Sequence, residues 1–192
     1  MNIFKGFQRS YKIPKKMMAL SSVVITICSF ELVEDALISP GSVKAMAEII
    51  RGTTENDILT GTADNDRLMG STGEDVLTGL RGNDVIDGGL NNDSLLGSQG
   101  DDYLIGGQGN DTIQSHEGND EAEANSGNDF VDGGLGDDTL VGGLGDDNIF
   151  SSPGNDNLTG GKGIDYFHCS SGNDKLSDFN QTEGDGRYSC ET

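Results

Sequence analysis

Proline is scarce in this 192-residue chain, with three residues, and so are cysteine with three and histidine with two. So few prolines, and no period of three, exclude a collagen-like helix even though glycine contributes 30 residues. So few thiols and imidazoles disfavour zinc, which draws its structural ligands from those side chains. His116 and His168 stand fifty-two residues apart and read as surface residues. Basic residues are few as well: from Gly52 to Thr192 there are five against 29 acids, a net charge of −24. A surface this acidic repels phosphates and anionic lipid, which excludes nucleic acid as a partner and favours a cation.

No HExxH, GxSxG or phosphate-cradling loop occurs, and Asp-rich loops without a nearby base are ligands, not a catalytic triad. The 51 residues before Gly52 and the 15 after Ser177 leave no room for a catalytic domain, so the expectation is a protein that is not an enzyme.

Long apolar runs are also missing. The one candidate, Met17 to Phe30 (MMALSSVVITICSF), has ten apolar residues in fourteen and is ended by Glu31, Glu34 and Asp35. A membrane-spanning helix needs about 20. With Lys5, Arg9, Lys12, Lys15 and Lys16 before it, the run has the pattern of an export signal. Ala45, Met46 and Ala47 offer a small-x-small cut after Ala47; an uncleaved anchor is the alternative, and the only membrane contact expected is through this segment. Residues 1–47 are thus read as signal or anchor, and 48–51 as a short lead-in. Export to an extracellular or cell-surface location leaves Cys169 and Cys190 in an oxidising compartment. Joined, they would close a loop of about 20 residues and contribute roughly 3 kcal/mol; two free thiols are the other reading.

An acidic, weakly hydrophobic chain can equally be disordered, so periodicity decides. From Gly52 to Ser177 the chain divides without insertion or deletion into fourteen units of nine, from GTTENDILT to CSSGNDKLS. The sixth place is Asp in every unit: Asp57, Asp66, Asp75, Asp84, Asp93, Asp102, Asp111, Asp120, Asp129, Asp138, Asp147, Asp156, Asp165 and Asp174. The eighth is apolar in every unit, from Leu59 to Leu176, with Ala122 the smallest; the fourth is glycine in eleven units and the first in ten. Disorder has no reason to keep such a register.

Glycines at the first and fourth places permit positive φ, so places one to six are expected to form a tight loop. Places seven to nine then form a three-residue strand, with the eighth side chain inward and its neighbours outward. Two units make one turn of a flattened coil. The expected fold is all-β, a parallel β-roll (β-solenoid) of about seven turns with two short-stranded parallel sheets about 33 Å long.

The interior of such a coil is one aliphatic side chain per nine residues, and every second Asp stacks above another at about 4.8 Å, where like charges repel by about 1 kcal/mol or more. A divalent cation between turns answers both difficulties. Calcium accepts six to eight oxygen ligands in flexible geometry, which carboxylates and loop carbonyls can supply; magnesium demands stricter octahedral geometry. The chain is therefore expected to order outside the cell, at calcium of about 0.1 to 1 mM.

The segments GGQGND, GGLGDD and GGLGDD within residues 106–147 resemble the G-G-x-G-x-D-x-U-x repeat of the RTX, or hemolysin-type, calcium-binding family. That resemblance implies a β-roll with calcium in the turns, each ion between units n and n+2. Its ligands would be the fourteen sixth-place Asp carboxylates and carbonyls near Gly73, Gly82, Gly100, Gly107, Gly109, Gly118, Gly127, Gly134, Gly136, Gly143, Gly145, Gly154, Gly161 and Gly163. Twelve ions is the ceiling. Family members usually leave through a one-step transporter using a C-terminal signal, whereas this N-terminus points to the general secretory route.

Departures are local: Glu55, Asp64 and Asn91 replace the fourth-place glycine, Ser115 and Ala124 the first, and Ile164 the fifth-place Asn or Asp. The first two units are expected to cap the coil, the turn around Ala122 to be its weakest, and residues 178–192 to close it. An ice-binding or adhesive face would want a regular row of Thr, and Ile58, Arg67, Val76, Tyr103 and Glu121 do not make one. Two readings stand: a calcium-stabilised extracellular or cell-surface protein, or a non-catalytic subunit or adhesion module acting beside an enzyme or surface-layer partner.

Overall fold

A computed structural model describes residues 47–190; the signal-like segment up to residue 46 lies outside them. All regular structure in the described residues is β, and no helix there is long and apolar enough to cross a membrane. The chain coils into two parallel eight-stranded sheets, with odd-numbered strands in one and even-numbered strands in the other. The first sheet holds β1 (Ile49–Arg51), β3 (Arg67–Thr72), β5 (Val85–Leu90), β7 (Tyr103–Gln108), β9 (Glu121–Ser126), β11 (Thr139–Leu144), β13 (Asn157–Lys162) and β15 (Lys175–Leu176). The second holds β2 (Ile58–Thr60), β4 (Val76–Arg81), β6 (Ser94–Gln99), β8 (Thr112–Glu117), β10 (Phe130–Leu135), β12 (Asn148–Ser152), β14 (Tyr166–Cys169) and β16 (Gly186–Tyr188).

Register follows the repeat. Each strand pairs with the one two units away, so Leu104 lies beside Ile86 and Ala122, and Ile113 beside Leu95 and Val131. The eighth-place side chains from Leu68 to Phe167 are almost fully enclosed and form two apolar files, one per sheet, that pack into one cluster through the coil.

Two expectations need correction. Most strands run six residues, not three, because pairing with the strand eighteen residues away carries on into places two and three of the next unit, as in Gly89 beside Gly107 and Leu90 beside Gln108. Alternation then turns the first place inward along with the eighth, as Ser115, Ala124, Ser151 and Cys169 show by being buried. Positive φ falls on the second and fourth places rather than the first: Gly107 and Gly109 are at 114° and 134°, while Gly106 is not among the positive-φ residues. The first-place glycine instead lacks a side chain because a Cβ on Gly106 would press against Asp111 Oδ2 at 2.5 Å and the Ala124 carbonyl oxygen at 2.9 Å.

The coil also has about eight turns rather than seven, since β1 and β16 lie outside the fourteen units. Ile50 stands nine residues before Leu59 and packs on the core, so the lead-in is a degenerate half-turn. Past Ser177 the register slips by two: Phe167 pairs with Arg187, twenty residues on. The Arg187 guanidinium lies 5.1 Å from the centroid of the Phe179 ring, and Phe179 meets Phe167 edge to face. A disulfide joins Cys169 to Cys190 with Cα atoms 4.8 Å apart and ties this last half-turn to β14. Around Ala122, β9 keeps its six residues and full pairing. There the methyl of Ala124, inward where most units have glycine, adds back apolar volume that Ala122 lacks.

Candidate metal centre

The sixth-place Asp ends the loop and turns its side chain inward against the first-place residue of its own unit, as Asp111 does beside Gly106. The twelve from Asp66 to Asp165 are all buried, while Asp57 and Asp174 at the array's ends are half-buried. They stand in two columns, each with one carboxylate per turn. Within a column each sixth-place Asp from Asp57 to Asp156 donates its backbone N–H to Oδ1 of the Asp eighteen residues on, as in Asp84 to Asp102 at 2.8 Å, Asp102 to Asp120 at 2.7 Å, and Asp93 to Asp111 at 2.8 Å. One oxygen of each carboxylate from Asp66 to Asp174 is thereby used as a rung between turns.

The second oxygen is a different matter. Oδ2 of Asp75, Asp84, Asp93, Asp102, Asp111, Asp120, Asp129, Asp138, Asp147 and Asp156 is buried and accepts no hydrogen bond. A buried acceptor without a donor costs about 1 to 3 kcal/mol, and more when it carries charge. Protonation is one relief. Burial first, then the facing carboxylates, raise Asp93, Asp120, Asp138 and Asp147 to a pKa of about 7, against the lowering effect of the backbone N–H. Asp102, Asp129 and Asp156 are raised to about 6 mainly by the same burial. The other relief is a cation.

The rest of the loop supplies oxygen. Gly127 has φ of 145° and lies so close to the preceding turn that a Cβ would collide with the Gly109 carbonyl oxygen; Gly118 and Gly136 repeat this against Gly100 and Gly118. Second-place glycines stack likewise, with Gly107 against the Gly89 carbonyl oxygen and Gly161 against that of Gly143. No backbone donor reaches the carbonyl oxygens of Gly82, Gly100, Gly109, Gly118 or Gly127 among the described residues. Nor is there a cluster of three or more His, Cys, Asp or Glu there. The donors that these turns present are mostly carbonyl oxygens with few carboxylates, a hard-oxygen set that would suit calcium and not zinc.

Several contributors escaped the sequence reading. Fifth-place Asn and Asp form a second ladder running the other way: the Asn110 N–H donates to Asn92 Oδ1 at 2.7 Å, and that of Asn128 to Asn110 Oδ1 at 2.9 Å. Ile164 still donates its N–H to Asp146 Oδ1 but has no side-chain acceptor to pass on. Asp185 extends one Asp column, accepting from Asp165 N–H at 3.1 Å, and was hidden by the two-residue insertion. Asp178 accepts from both Gly160 and Gly161. His116 and His168 join no metal-ligating cluster; the His168 ring stacks on Phe150 with centroids 4.2 Å apart.

Two stacked parallel sheets, loops held by carbonyls and carboxylates, and a nine-residue period define a metal-binding parallel β-roll. The family model for the RTX calcium-binding nonapeptide repeat (4 copies) matches in seven overlapping stretches: 45–77, 60–95, 78–113, 88–122, 96–131, 114–149 and 150–177. The chain belongs to this family, whose repeats bind calcium. No curated protein matches it closely enough to serve as a relative.

Proposed function

We propose that calcium ions bridge successive turns of this β-roll and that the chain acquires its fold by binding them. The observation that carries this is the set of ten enclosed Asp Oδ2 atoms without a donor, from Asp75 to Asp156. These carboxylates, with second- and fourth-place carbonyls, are the ligands we assign. Calcium supplies positive charge where burial and like-charged neighbours otherwise oppose ionisation. Each strand adds one eighth-place apolar side chain to a core that shares its enclosure with the acids, so the ion does for this coil what a broader core does elsewhere.

The chain acts without catalysis, as an exported extracellular or cell-surface protein. The basic-then-apolar N-terminus and the acidity of the array support export. A chain still unfolded where calcium is low can be threaded through a secretion pore and ordered on the far side.

Circular dichroism of calcium-stripped protein at pH 8, followed by addition of millimolar calcium, tests the coupling. Strand signal should appear with calcium in a cooperative transition. A full strand spectrum before any calcium is added would refute the coupling. Mass spectrometry of protein recovered from outside expressing cells tests export, with loss of the N-terminal segment the expected result.

A further inference from the structure

We propose that Thr53 and Thr62 stand in for calcium at Asp57 and Asp66, so that the first two repeats form a metal-free cap on a calcium-filled coil. This rests on the preceding assignment of calcium to the orphaned carboxylates. Asp57 Oδ2 accepts from the Thr53 N–H at 2.6 Å and from the Thr53 hydroxyl at 2.9 Å. Asp66 Oδ2 accepts from the Thr62 N–H at 2.5 Å and from the Thr62 hydroxyl at 2.9 Å. Each hydroxyl in turn accepts from a fourth-place residue, Glu55 N–H at 3.1 Å and Asp64 N–H at 3.2 Å.

The contrast with the following ten repeats is backbone geometry. In those ten, whose Oδ2 atoms have no partner, the second-place residue has positive φ in every case, from Ser71 and Leu80 through Gly107 and His116 to Ser152. Thr53 and Thr62 do not. β-branched residues avoid positive φ, so Thr at this place holds the loop in the conformation that aims its own N–H at the carboxylate. Two donors then satisfy the oxygen that is left bare in repeats three to twelve, and a cation would have to displace both. At the opposite end a single backbone donor fills the same place, with Asn180 N–H donating to Asp185 Oδ2 at 2.7 Å. The calcium-dependent segment is thus bounded by hydrogen-bonded ends, the first of which offers the third repeat a turn whose carboxylates need no ion.

Equilibrium dialysis of the intact chain counts bound calcium. Asp57→Asn with Asp66→Asn should leave the count unchanged, and Asp111→Asn with Asp120→Asn should lower it. Thr53→Val with Thr62→Val should also leave the count unchanged while lowering the melting midpoint in saturating calcium by a few degrees, because two hydroxyl bonds to carboxylate are lost. Loss of ions in the Asp57/Asp66 variant, or an unchanged midpoint in the Thr variant, overturns the cap while leaving calcium binding elsewhere intact. A wild-type chain that took up no calcium would overturn the preceding reading and this one together.

Discussion

Acid should partly replace calcium. Asp93, Asp120, Asp138 and Asp147 reach a pKa of about 7 in the coil, chiefly through burial, against an ordinary value of 3.8. The metal-free coil therefore holds protons that the unfolded chain has released. Its stability is lost as pH rises through about 7 and is fully present only below about 4. Between pH 8 and pH 5, one such group is worth about 2 to 3 kcal/mol. Four independent groups would give about 10 kcal/mol, comparable with the whole stability of an ordinary domain. Asp120 and Asp138 are neighbours in one column and titrate as a pair, so 10 is a ceiling. The assay is far-UV circular dichroism of calcium-stripped, monomeric protein at pH 8 and pH 5, with hydrogen exchange on the same samples. Strand signal and protected amides should appear on acidification without any metal. In parallel, the calcium midpoint should be less favourable at pH 5, since protons and calcium compete for one set of oxygens. A stripped chain equally disordered at both values would refute the claim that buried carboxylate charge is what opposes the fold.

Four further outcomes are expected. Asp111→Ala or Asp138→Ala removes the Oδ1 that accepts from the Asp93 or Asp120 N–H and an orphaned Oδ2 at once, and should raise the calcium midpoint of the folding transition several-fold; an unchanged titration would remove that site from the set. Gly127→Ala, at φ of 145° and against the Gly109 carbonyl oxygen, should cost about 1 to 3 kcal/mol in backbone strain alone, read by urea titration in saturating calcium. Ile113→Ala empties a fully enclosed place in its apolar file and should cost about 2 to 5 kcal/mol by the same measurement. Cys190→Ser should cost roughly 3 kcal/mol and selectively raise hydrogen exchange in Gly186–Tyr188, leaving the central strands protected.

Much of this architecture is visible in the spacing. A period of nine with an invariant Asp and an apolar residue two places later fixes parallel stacking at an interval of eighteen, and Leu104 beside Ile86 and Ala122 is that arithmetic in space. Local departures were readable as sites of change but not as what they change into. Ala124 reads as a lost glycine, yet in the coil it fills space beside Ala122. Glu55 and Asp64 read as lost fourth-place glycines, yet their N–H groups donate to the Thr53 and Thr62 hydroxyls that in turn bind Asp57 and Asp66.

What the chain determined by order of residues alone is the repeat, the class of fold and the oxygen-rich chemistry of its turns, because these depend only on residue type at fixed intervals. Stacking decided the rest. Only when one turn lies on another does Asp Oδ1 find the N–H of the preceding turn, leaving Oδ2 without a donor, and only then would a Cβ on Gly106 meet the Ala124 carbonyl oxygen. The continuation of the column to Asp185 across an insertion likewise exists in space and not in the period. Those relations join atoms eighteen or twenty residues apart, and they depend on backbone direction at each loop, which residue identity restricts without specifying.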